Sequence, residues 1–438
     1  MNKIRPVLLS LFGLLFAACA GESRRDVERV ILIGLDGVDW KVLGPLIDEG
    51  ALPNLARFID RGVSGELATL PPTLAPTYSP IIWASVATGK LPAAHGITGF
   101  GKTPDGVIEH TVPYTSNSRR VKALWNILGE LEREVAVVGW WTTWPAEQVH
   151  GVVVSDRLQY TRMNLWFDVP GYGAELPAQT HPPELLEELA DRIPESDELQ
   201  AEFFARFRPG TEQRPVAADL HDPWYELLLA FARDETYARV LDHVLSGRSF
   251  DFVAYYLNGP DIVSHYFWKY RFPDEWSEPI PEAELRERRG AIARYYAYVD
   301  DTLAALLDRA DERCLVIVVS DHGFVTGSRA DSPNISGTHY RSAPPGIIAA
   351  AGGGVAPGSR IEGADVLDLA PTILAALGLP VARDMQGDVL AQLTGTTRPP
   401  ETVPTYETGP ARGDPTPIPS ELDEEIIERL KALGYLAD

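Results

Sequence analysis

The chain has 438 residues, is 45% hydrophobic and carries a formal net charge of −23. That length and apolar content suffice for one large globular unit and exclude a disordered or fibrous chain. The acidic balance excludes a nucleic-acid-binding surface, which needs a basic face toward the phosphate backbone.

The first elements concern address. Lys3 and Arg5 precede the apolar stretch VLLSLFGLLFAA, which meets Cys19 after small residues. Residues 1–18 read as an export signal ending in a lipobox, with Cys19 the lipidated first residue of the mature chain. Phe16, at the third position before the cysteine, leaves plain signal cleavage as the alternative. The stretch is shorter than a bilayer span. Lipid attachment of this kind resembles bacterial lipoproteins and implies an exported cell-envelope protein tethered to a membrane. Residues 19–29 form a linker. The second cysteine, Cys314, reads as a buried small hydrophobe, and two cysteines are too few for a disulfide framework.

From residue 30 to about 156 strand and helix patterns alternate, with a strand at 30–35, a helix at 121–131 and a strand at 135–140. The alternation predicts an α/β fold with a mostly parallel sheet and helices on both faces. Residues 157–223 are irregular and rich in Pro, aromatic and acidic residues, with one helical stretch at 183–192; they read as a cap inserted over the site. The sheet pattern resumes at 252–257, and a helical stretch at 285–310 leads into a strand at 315–320. The catalytic unit spans 30–395. Beyond it, 396–419 reads as an extended strap and 421–436 as a helix packed by one face.

Three apolar runs end in metal-type ligands. VILIGLDG delivers Asp36, LVIVVSDHGF delivers Asp321 and His322, and the run 252–257 is followed by Asp261 and His265. A buried strand that stops at an acid or histidine carries that group to the carboxyl edge of a parallel sheet, where α/β enzymes bind ligands. Asp261 and His265 have i, i+4 spacing, which stacks them on one helix face. His339 precedes a further apolar run. Two carboxylates with one imidazole, and one carboxylate with two, can each hold a divalent ion; the mixed N/O set favours Zn2+ and permits Mn2+. Asp39 and Asp331 could orient such histidines. His95, in an HGI turn, reads as structural.

Ser79 followed by Pro80 reads as a helix N-cap with proline in the first turn. A hydroxyl there meets the positive helix end, and a bound cation would lower its pKa further. Thr77 is the second nucleophile candidate.

In order along the chain, LIGLDG, YSPIIWASVATGKLPAAHGI, YLNGPDIVSH, VVSDHGF, SGTHYRSAPPGIIAAAG and DVLDLAPTILAALGLPVARDMQG resemble the alkaline phosphatase superfamily, most closely its type I phosphodiesterase and nucleotide pyrophosphatase branch. The resemblance implies an alkaline-phosphatase-like fold and two divalent ions. Asp36, Asp321 and His322 would hold the one nearer the nucleophile; Asp261, His265 and His339 would hold the other. It places Ser79 on the family's Thr/Ser nucleophile and implies a phosphate-ester substrate, attacked through a phosphoseryl intermediate. A phosphodiesterase is the leading expectation. The alternatives are a phosphoryl-group transferase acting on envelope lipids or glycans, a phosphomonoesterase and, from another class, a non-catalytic surface binding protein. Where nucleotide pyrophosphatases carry HGI followed by paired asparagines, this chain has HGITGF and places Phe100 there. That ring would line a lipid-like or aromatic leaving-group pocket, or fill core.

Overall fold

The computed structural model describes residues 27–158, 176–211, 222–327, 335–339, 343–395, 399–409, 413–433 and 435–436. The leader with Cys19, most of the linker, Asp331 and parts of the expected cap and strap lie outside them.

Nine strands form the central sheet: β1 (Arg29–Leu35), β2 (Val63–Ala68), β3 (Val135–Val138), β4 (Gly151–Val154), β5 (Thr180–His181), β6 (Phe252–Leu257), β7 (Cys314–Val319), β8 (Gly346–Ala351) and β9 (Arg360–Asp365). Their order across the sheet is β9-β2-β8-β7-β1-β6-β3-β4-β5. The five strands from β7 to β4 are mutually parallel. β8 runs against both its neighbours and β5 runs against β4, so the sheet is mostly parallel with two reversals.

Successive residues of β1 face opposite cores, as a strand buried on both faces requires. Ile31, Ile33 and Leu35 point into one core. It is completed by helices α1 (Trp40–Asp48), α2 (Pro53–Asp60), α6 (Pro223–Leu245), α7 (Gly259–Arg271) and α8 (Ala291–Leu307). Val30 and Leu32 point into the other. Helices α3 (Ser79–Thr88), α4 (Leu124–Glu130) and α9 (Leu369–Ala376) cover that face. The continuous apolar runs of β1, β6 and β7 follow from this double burial.

Several boundaries differ from the sequence pattern. The strand expected to reach Trp140 stops at Val138, because Gly139 takes a φ of +71° and turns the chain. The long helical run at 285–310 is two helices, Glu282–Arg288 and α8, parted at Gly290, the residue in that run least suited to a helix interior. Within 157–223 the described residues contribute edge strand β5, a short helix at Leu185–Leu189 and helix α5 (Ser196–Phe207). The tail ends in helix α10 (Asp423–Ala432), whose Ile427 and Leu430 are buried in the first core. No helix among the described residues is long and apolar enough to cross a membrane.

Candidate active site

Register brings the metal-type residues to one edge. Leu35 pairs with Leu257 and Gly34 with Val319, so Asp36, Asn258 and the segment Ser320–Asp321–His322 leave the sheet side by side. Gly37 makes the exit possible: its φ is +67°, and a Cβ there would lie 2.9 Å from the Asp261 Cα. Helix α7 enters from one face of the sheet with Asp261 and His265. Helix α3 enters from the other with Ser79.

The six expected ligands converge. Asp36 Oδ1 and Asp321 Oδ2 each lie 3.4 Å from His322 Nε2. Asp261 Oδ1 lies 3.5 Å from His265 Nε2 and 3.6 Å from His339 Nε2, and the two imidazole nitrogens are 3.2 Å apart. Asp36, Asp321 and His322 form one group able to hold a cation, and Asp261 forms another with His339 and His322. His322 Nε2 is 4.0 Å from Asp261 Oδ1, so it stands on the boundary between them.

Five of these six side chains are held by one atom and turn another toward the cluster. Asp36 Oδ2 accepts from Trp83 Nε1 at 3.1 Å and from the Tyr256 hydroxyl, while its Oδ1 has no hydrogen-bond partner. Asp321 Oδ1 accepts weakly from the Gly37 N–H at 3.3 Å, while its Oδ2 has none. Asp261 Oδ1 and His322 Nε2 are likewise buried without a hydrogen-bond partner. The imidazoles follow the same rule through backbone carbonyls. His265 Nδ1 donates to Gly337 at 2.9 Å, His339 Nδ1 to Thr77 at 3.0 Å and His322 Nδ1 to Gly323 at 3.2 Å. A carbonyl only accepts, so each ring donates from Nδ1 and turns Nε2 toward the cluster, the arrangement of a metal-ligating histidine.

Electrostatics agree. Burial and the charge of Asp36 push Asp261 and Asp321 well above the usual carboxylate range. Burial would raise Asp36 too, but His322 and the Tyr256 hydroxyl outweigh it and hold Asp36 below its ordinary value. Burial holds His265 down to about 3 and His339 well below its ordinary value, so both are neutral. With all three ionised, these buried carboxylates would repel one another, which is what raises Asp261 and Asp321, and divalent cations would relieve that repulsion. The donor set fits them.

Ser79 is the first residue of α3; Tyr78 occupies the cap position, and no side chain caps the helix. The one-residue shift leaves the Ser79 hydroxyl out of capping. Ser79 and Asp261 line the same cavity. Thr77 is buried, and its carbonyl is the acceptor for His339. Phe100 lines the cavity with its ring 4.4 Å from Tyr435 and 6.1 Å from Trp141. It therefore belongs to the cavity wall while remaining only 8% exposed. Asp39 supports the site differently from the sequence expectation: it accepts from Lys41 N at 2.6 Å and Phe324 N at 2.9 Å, fixing the loop after His322 and not a histidine. His95 is buried, its Nε2 3.0 Å from Ser85 Oγ, and burial followed by the Arg119 charge lowers it to about 3.

Three contributors escaped the sequence pattern. Arg233 lines the cavity, pairs through Nε with Asp234 at 3.4 Å, and keeps a buried Nη2 without a hydrogen-bond partner. Asp234 is fully buried, accepts from Gly259 N at 2.9 Å and from the Tyr295 hydroxyl at 2.9 Å, and so anchors the start of α7. Tyr435, from beyond α10, reaches the imidazoles of His265 and His339. An Arg-Asp pair inside the apolar run LLLAFARDETY was a readable signal. A lone tyrosine in a tail was not.

The family model for type I phosphodiesterase / nucleotide pyrophosphatase matches residues 30–341. The chain belongs to that family and is a hydrolase acting on phosphoric ester bonds. No curated protein sequence matches it. Among solved structures, alkaline phosphatase PafA is 12% identical over 84% of this chain and 99% of its own, with a TM-score of 0.51. Human ectonucleotide pyrophosphatase / phosphodiesterase 5 is 12% identical over 83% and 98%, with a TM-score of 0.47. A phosphonate monoester hydrolase from Silicibacter pomeroyi is 18% identical over 85% and 77%, with a TM-score of 0.46. The first likeness speaks for the fold, which is alkaline-phosphatase-like.

Proposed function

We propose that the protein is an exported phosphodiesterase that uses Ser79 as nucleophile and two divalent cations, zinc by donor type, to cleave esters with an apolar or aromatic leaving group. The carrying observation is the convergence of six ligand side chains, with four of the facing atoms lacking any hydrogen-bond partner, beside a cavity that Ser79 shares with Asp261. Asp36, Asp321 and His322 would hold one cation, and Asp261, His265 and His339 the other. When bound, they supply Lewis-acid charge that acidifies a hydroxyl and neutralises phosphoryl oxygens.

In this reading Ser79 Oγ gives up its proton to solvent and attacks phosphorus in line. The P–O bond to the leaving group breaks, and that oxygen takes a proton from water. The resulting phosphoseryl ester is cleaved by a second water, which restores Ser79. Arg233 Nη2 donates to a phosphoryl oxygen. Phe100 and Trp141 hold the leaving group, and Asn258, at the N-terminus of α7, borders the same cavity. The phenyl ring in place of an amide on this wall supports an apolar leaving group over a nucleotide.

The apolar wall also supports a second reading, in which an alcohol of an envelope lipid or glycan replaces the second water and the enzyme transfers the phosphoryl group. Hydrolysis of bis-para-nitrophenyl phosphate against para-nitrophenyl phosphate tests the first reading; preference for the monoester would overturn it. Product diverted from the phosphomonoester left by hydrolysis to a new phosphodiester of the acceptor alcohol under saturating acceptor would establish the second. Export and the lipid anchor at Cys19 complete the proposal: Cys19→Ala should move the protein from the membrane fraction to the soluble one, and an unchanged distribution would remove the anchor.

A further inference from the structure

The Tyr435 hydroxyl lies 3.0 Å from His265 Nε2 and 2.9 Å from His339 Nε2. Both nitrogens carry lone pairs, because both rings donate from Nδ1 to carbonyls. A phenol has one hydrogen and can donate to only one of them, so one of these two contacts sets lone pair against lone pair. The two imidazole nitrogens face each other at 3.2 Å with the same difficulty. A cation among the three atoms resolves both conflicts.

The spacing points the same way. Four ligands about 2.0–2.1 Å from a tetrahedral ion lie about 3.3–3.4 Å from one another. Asp261 Oδ1, His265 Nε2 and His339 Nε2 are separated by 3.5, 3.6 and 3.2 Å, and Tyr435 Oη stands 3.0 and 2.9 Å from the two nitrogens. Five edges of one tetrahedron are thus present. Its fourth corner, which a catalytic ion keeps open for substrate oxygen or water, is held by the chain's own tail.

The tail is fastened there. Arg429 on α10 pairs with Glu226 of α6 at 3.4 Å, Asp423 pairs with Arg157 at 3.4 Å, and the Tyr435 ring packs 4.4 Å from Phe100. Leu430 and Leu433 line the same cavity as Ser79.

We infer that Tyr435 is a ligand of the second cation site, delivered by the C-terminal helix into the position a substrate oxygen would take, so that the tail competes with substrate for that position. The inference rests on the two-cation reading above. The test is full-length protein, wild type and Tyr435→Phe, loaded with Co2+, whose visible spectrum reports its ligands. Phenylalanine keeps the ring packing and removes only the oxygen. Wild type should bind two Co2+ ions, and the variant's spectrum should differ from it. Saturating inorganic phosphate should make the two spectra coincide, and phosphate should bind the variant at least fivefold more tightly by calorimetry. Identical spectra without phosphate, with two ions bound, would overturn the inference alone. Spectra that still differ under saturating phosphate, or equal phosphate affinities, would overturn the competition. A wild type that binds no Co2+ would remove the two-cation reading and this inference with it.

Discussion

His339 Nδ1 donates to the backbone carbonyl of Thr77 over 3.0 Å, so it is the main chain of residue 77, not its hydroxyl, that orients this imidazole. The two nucleophile candidates separate on that contact. Ser79 opens α3 and lines the cavity with Asp261, whereas Thr77 serves through an atom every residue has. Thr77→Ala should leave kcat on a phosphodiester within about threefold, and Ser79→Ala should lower it by about 10³-fold or more, as loss of a nucleophile does. Steady-state rates, with metal content measured on each protein, check this. A severe loss in Thr77→Ala with full metal content would reverse the assignment.

The three carboxylates predict what chelation does. Without cations, Asp261 and Asp321 sit beside Asp36 in a buried site, and burial together with that charge raises both. Cations that bind only the folded state add stability by mass action, about 2.7 kcal/mol for one site at one hundred times its Kd. Scanning calorimetry should therefore place the unfolding of metal-loaded protein well above that of chelated protein. Asp321→Asn should abolish most of the difference, since the amide keeps a hydrogen-bonding oxygen but not the charge. An unchanged Tm on chelation would argue against cations in this cluster.

Arg233 predicts a binding effect. Its Nε is committed to Asp234, and its Nη2 is buried in the cavity wall without a hydrogen-bond partner. A charge-assisted bond to a phosphoryl oxygen contributes about 1.5–3 kcal/mol, so Arg233→Gln should lower kcat/KM by about 10- to 100-fold. Arg233→Lys should recover part of this. If Arg233 only supported Asp234, the loss would track a fall in Tm and the lysine variant would recover stability and activity together.

What the sequence reveals and what it hides divide along physical lines. β1, β6 and β7 are buried on both faces, so they read as unbroken apolar runs, and a ligand placed directly after such a run is visible as a break in it. Asp36 and Asp321 were legible for that reason, and Asp261 with His265 because i, i+4 spacing survives in the sequence. Ser79 showed as the residue before a helix-starting proline, whereas Phe100 needed the family resemblance to be placed. Tyr435 meets His265 at a separation of 170 residues, a distance no local pattern encodes. The break at Gly290 follows the polar stretch 286–289, and a single glycine there lowers helix propensity without by itself marking an end. The edge strand β5 is two residues long and has no pattern at all.

Glu425 predicts a pH dependence in the C-terminal helix. It lies in the first turn of α10, both its carboxylate oxygens are buried without hydrogen-bond partners, and burial raises it to about 8 despite the nearby Arg429 charge. Its unfolded value is the ordinary 4.5. Between 4.5 and 8 the folded protein binds the extra proton, so stability falls as pH rises through that window. Below it both states are protonated and no penalty exists; above it the full penalty remains. Glu425→Gln cannot ionise and should be more stable than wild type at pH 8.5, with little difference at pH 4.5. Thermal unfolding of both proteins at the two pH values, metal-loaded throughout, measures this. Parallel pH profiles would show that Glu425 ionises freely in the fold, whereas a flatter profile for the variant would place the proton on the helix that precedes Tyr435.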